Sequence, residues 1–102
     1  MITESDWKKF KKLREVALER FCQRSLADVQ ITLDQADSTC HEKYLQLFTL
    51  IKKTDKNLAQ LFDDPSRSHV LLHLMLIRSE NLLSDEELAV LSPEILAATK
   101  RL

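Results

Sequence analysis

The chain has no glycine at any of its 102 positions. Glycine supplies the positive-φ turns and close backbone approaches on which phosphate-binding loops, dinucleotide-binding turns and nucleophile elbows depend, so none of these sites exists here in its usual form. Tight β-hairpins draw on glycine or asparagine, and Asn57 and Asn81, the two asparagines, lie inside helix-like sequence rather than between alternating strands. The expectation is an all-α fold. A chain of this mass buries roughly 65% of its extended surface on folding, enough for one core. No repeat or long linker divides it, so residues 1–102 read as a single helical domain.

The opening Met1-Ile2-Thr3-Glu4-Ser5-Asp6 has no apolar core flanked by basic residues, which argues against a secretory signal. The longest apolar stretch, Val70 to Ile77, is broken by His73 and falls far short of the roughly 20 residues of a transmembrane segment. The expected compartment is cytoplasmic, with Cys22 and Cys40 as reduced thiols.

Three main helices and two short ones are expected. Trp7, Phe10, Leu13, Ala17, Leu18 and Phe21 recur at helical steps, and Cys22, Leu26, Val29 and Leu33 continue the stripe with a slow rotation. Capped by Ser5 or Asp6, this helix runs from about Asp6 to about Asp34, on the order of 40 Å against roughly 25 Å for a compact globule of this size. It must bend, with Arg24 to Ala27 as the thinnest part of the stripe, or project; a projecting end with Trp7 and Phe10 would need a partner. After a polar turn, Thr39 and Glu42 have the spacing of a capping box. The second helix carries Tyr44, Leu47, Phe48, Ile51, Leu58, Leu61 and Phe62 on one face and ends at Asp63-Asp64-Pro65. Asp64 and Pro65 read as cap and first residue of a third helix, apolar almost all round and so expected to be buried at the centre or in an oligomer interface. Ser84 with Glu87, and Ser92-Pro93-Glu94, start the two short helices.

Catalytic and metal constellations do not survive their spacing. His69 and His73 stand four apart, as two zinc ligands would, yet the glutamate of a zinc-protease motif is absent and His41 lies roughly 27 Å away along a helical hairpin. Cys22 and Cys40 are set roughly 15 Å apart by the same reasoning, too far for a disulfide. Cys40 in the first turn of a helix is a candidate reactive thiol, but His41 beside it points about 100° away. Asp63-Asp64 and Asp85-Glu86-Glu87 sit at helix ends, where capping and the helix dipole explain them. No enzyme, cofactor or metal is expected.

The basic run Lys8-Lys9-Phe10-Lys11-Lys12-Leu13-Arg14, with Arg20 and Arg24, is the sharpest remaining signal. Nucleic acid or a membrane surface would suit it, but Glu4, Asp6, Glu15 and Glu19 dilute it and the whole chain carries a net charge of −1. The acidic stretch Asp28, Asp34, Asp37 and Glu42 contrasts with it, so two chains could meet head to tail with complementary ends. The expected function is therefore a non-catalytic helical protein–protein interaction module that self-associates as a homo-oligomer. Its expected anchors are Trp7, Phe10, Leu13 and Phe21, rimmed by Lys8, Lys11 and Lys12. A nucleic-acid-binding regulator using the same basic helix is the alternative.

Overall fold

The computed structural model describes residues 2–100 and contains five α-helices: α1 (Glu4–Leu33), α2 (Cys40–Phe62), α3 (Val70–Ser79), α4 (Asp85–Leu88) and α5 (Pro93–Ala98). Among the described residues there is no strand. The all-α fold follows as expected from a chain whose apolar residues recur at three- and four-residue steps.

Helix starts obey local chemistry. The Thr39 hydroxyl accepts from the amide of Glu42 while the Glu42 carboxylate accepts from the amide of Thr39, and Ser84 and Glu87 repeat this box at α4. At α1 the cap is Thr3, which accepts from the amide of Asp6. Neither Ser5 nor Asp6 is the cap, because the helix begins at Glu4. Asp6 instead is buried and accepts from the backbone amide of Ser92 at 3.0 Å, joining the first helix to the last. Hydrogen bonding from Ser92 holds the Asp6 carboxyl below its ordinary range against the opposing effect of burial. The third helix also starts later than expected. Asp64 has φ 52°, which no N-cap adopts, and a 3₁₀ turn at Arg67–His69 intervenes before Val70.

Helix ends are handled without glycine. Asn81 follows α3 with φ 57°, its amide bonded to the Arg78 carbonyl and the Leu82 amide to that of Ile77, the Schellman pattern with asparagine in glycine's place. Basic side chains satisfy other terminal carbonyls: Lys43 donates to Leu33, Arg14 to Phe62, Arg24 to Glu80 and Arg78 to Leu96. Each replaces a bond that the next helical turn would have supplied.

The core is confined to one end of the molecule. Phe10, Leu13, Ala17 and Phe21 of α1 meet Leu61 and Phe62 of α2, Val70, Leu74 and Ile77 of α3, and Leu82, Leu88, Leu91 and Ile95. Phe21 and Phe62 pack edge to face with ring centroids 5.9 Å apart. From Cys22 to Gln60 no residue is buried. This stretch is a two-helix arm, made of the C-terminal part of α1 and most of α2, that extends beyond the core. Helix α3 lies in the core along one side only: Val70, Leu74 and Ile77 are fully enclosed, whereas Leu71 and Leu72 face outward because no other element crosses that side.

Helix α1 is continuous over Arg24 to Ala27, so it projects rather than breaks. The molecule measures 52 × 25 × 23 Å with a radius of gyration of 16.5 Å, against about 13 Å for a compact chain of 100 residues. Its accessible surface is 7186 Å², whereas a globular monomer of this mass keeps about 6,000 Å².

Candidate interaction surface

The anchors expected on the N-terminal half of α1 are placed in the chain's own core. Phe10 is 1% exposed, and Leu13 and Phe21 are buried beside it. Trp7 is partly buried and stacked on Phe10 at 6.2 Å, with the Lys11 ammonium 5.4 Å and the Arg67 guanidinium 5.8 Å from its ring centroid. The physical reason is the return of the chain. The last helices fold back over this half of α1, tied by the Asp6–Ser92 bond, and the 3₁₀ turn before α3 adds an Arg67–Glu4 ion pair. Trp7 and Phe10 therefore belong to the globular end, and the end of α1 that projects is the C-terminal one, with Leu26, Val29 and Leu33.

The basic helix is divided in the same way. Arg14 donates to the Phe62 carbonyl at 2.6 Å, and Arg24 to the carbonyl and carboxylate of Glu80 at 2.9 Å each. Arg20 reaches the Leu82 carbonyl at 2.9 Å and grips both oxygens of Glu87 at 2.6 and 2.9 Å. That fork, together with the Ser84 amide, lowers the Glu87 carboxyl to about 2. All three arginines are thus tied to the chain itself. Lys8, Lys9, Lys11 and Lys12 remain exposed.

Leu71, Leu72 and Val90 are exposed on the globular end, but the most extended open apolar surface lies on the arm. Along α2 the half-buried positions are Lys43, Leu47, Leu50, Thr54, Leu58 and Ala59, and they lead into buried Leu61; this is the stripe that faces α1. Tyr44, Phe48 and Ile51 form the adjacent stripe and are 67%, 60% and 55% exposed. On α1, Leu26 and Leu33 are 67% and 44% exposed and flank half-buried Cys22 and Val29 at the same spacing. A groove of about 430 Å³ runs between the two rows, lined by Cys22, Leu26, Val29, Ile51 and Leu58, with Phe21 at its inner end. Two helices in contact can shield only one stripe each, so the second row on each has no cover.

The arm is electrically polar along its length. Asp34, Asp37 and Glu42 lie exposed at its tip with half-buried Lys43, and Lys52, Lys53 and Lys56 lie exposed on α2 nearer the core with Asp55 among them, so each end keeps a net charge of two, negative at the tip and positive at the base. Among the described residues none of these side chains takes part in an ion pair.

The remaining candidates are dispersed. The rings of His69 and His73 are 5.9 Å apart, and Nδ1 of His69 lies 2.7 Å from the Ser66 hydroxyl. His73 is buried, its Nδ1 has no partner, and burial pushes its pKa down, helped by neighbouring His69 and Arg14. Cys22 is partly buried and Cys40 exposed, both as free thiols. Among the described residues no three His, Cys, Asp or Glu side chains are grouped to hold a metal ion, and no helix is long and apolar enough to cross a membrane. No family model, curated protein or solved structure matches the chain.

Proposed function

We propose that the protein is a non-catalytic helical interaction module that self-associates through the arm, with Leu26, Val29, Leu33, Tyr44, Phe48 and Ile51 as its contact residues. One observation carries this reading: a stretch from Cys22 to Gln60 with no buried residue nevertheless presents two rows of large apolar side chains. Contiguous apolar surface flanked by polar residues marks an interaction site. At roughly 150–250 Å² for a fully exposed large side chain, these rows offer on the order of 500 Å² per copy, so two copies would bury about 1,000 Å², where specific interfaces begin. The 7186 Å² of accessible surface exceeds that of a compact monomer by roughly 1,200 Å², as an arm without a buried residue requires.

Light scattering after size exclusion tests it. The wild-type chain is expected at about twice 11.9 kDa, in low and in high salt, because an apolar interface is not weakened by screening. Phe48→Ser with Ile51→Ser replaces exposed side chains only, so circular dichroism stays that of a folded helical protein while the mass halves. A wild-type monomer at high micromolar concentration, or a dimer indifferent to the double substitution, overturns the reading.

A further inference from the structure

Resting on that reading, we infer that the occupant of the arm face is a second copy lying antiparallel, the acidic tip of each arm against the lysine-bearing base of the other. The charge pattern sets the direction. Parallel pairing would place Asp34, Asp37 and Glu42 of one copy beside the same three acids of the other, and lysines beside lysines. Antiparallel pairing places the acidic tip beside a base that Lys52, Lys53 and Lys56 keep net positive despite Asp55, at both ends, and like charges brought together at an interface select against the wrong arrangement.

The apolar row has the matching symmetry. Tyr44 and Ile51 bracket Phe48 on the exposed stripe, and their midpoint, between residues 47 and 48, is also the midpoint between Glu42 and Lys53. A twofold axis through this point superposes apolar row on apolar row and acid on base in one operation, as an isologous interface requires. It also carries Tyr44 of one copy to the level of Ile51 in the other, over the mouth of the groove lined by Cys22, Leu26 and Val29. The groove is then filled by the same side chain in both directions, and the two hairpins make a four-helix bundle.

Exposed Cys40, four residues before Tyr44 at the tip end of the same stripe and outside the contact residues, reads the direction. It stands some seven residues from the axis, so after spin labelling in a Cys22→Ala background the two labels are separated by about 22 Å along the arm in the antiparallel dimer. The expected electron–electron distance is about 20–30 Å. Parallel arms put both labels at one level, under about 15 Å apart at ordinary helix spacing. A second variant reads the charges. Lys52→Glu with Lys56→Glu weakens an antiparallel dimer about ten-fold at low salt and much less at high salt, and leaves a parallel one little changed. A dimer with a short distance, or one whose affinity ignores the lysine reversal, overturns the antiparallel pairing and leaves self-association standing; a wild-type monomer overturns both.

Discussion

Asn81 holds a conformation that most residues resist. At φ 57° its side chain tolerates the left-handed geometry that closes α3, where other chains place glycine. Asn81→Gly should raise stability by a few tenths of a kcal/mol up to about 1, and Asn81→Val should lower it by about 1–2, since a β-branched side chain meets the backbone there. Urea midpoints at constant slope check both. In the sequence this asparagine passes for a helix-interior residue, because nothing local distinguishes a helix end from its middle when the usual glycine is missing. Asp6 is hidden for a different reason: it looks like a cap, and its partner Ser92 lies 86 residues away. His73 carries a pH consequence. Its folded pKa is depressed by burial, with His69 and Arg14 adding to the effect and Asp63 and Asp64 opposing it. The unfolded chain therefore binds the proton more readily, so this contribution is complete above the unfolded value of about 6.5 and is lost as pH falls below it. Thermal melts from pH 7.5 to 5 should show the drop, and His73→Leu should flatten it.

Among the elements, the starts of α2 and α4 and the ends of α1 and α2 were legible, whereas the starts of α1 and α3 were not. Both capping boxes lie where Thr39–Glu42 and Ser84–Glu87 place them, because a cap is a bond between neighbours in sequence. The length of α1 was equally plain from its stripe. Its partner was not, since an apolar stripe says that something covers it but not what. The part of α1 up to Arg24 meets the returning C-terminal segments and the part beyond it meets α2, a difference set by contacts such as Arg20 to Glu87, Arg24 to Glu80 and Asp6 to Ser92 that no local pattern announces. One signal could have pointed to the arm. Tyr44, Leu47, Phe48 and Ile51 form a band wider than one neighbouring helix can shield. The arm should also be the less stable part. Amides from Cys22 to Gln60 are expected to exchange with deuterium faster than those of α3 in dilute solution, and to slow as protein concentration rises while the globular end does not change. Equal protection at all concentrations would contradict self-association through the arm.

At the scale of the whole molecule, a radius of gyration of 16.5 Å describes a small body with an extension. The body is made from the two ends of the chain, up to Phe21 and from Leu61 onward, and these meet where the Phe21 and Phe62 rings touch. The arm is therefore an excursion that leaves and re-enters the body at one point, and its length is decoupled from the core. Removing or inserting seven residues in both helices together changes the reach by about 10 Å, two turns, and nearly preserves the facing sides. A lineage carrying this architecture can tune how far it reaches, and how much of a neighbour it overlaps, by paired insertions and deletions that never touch a buried side chain.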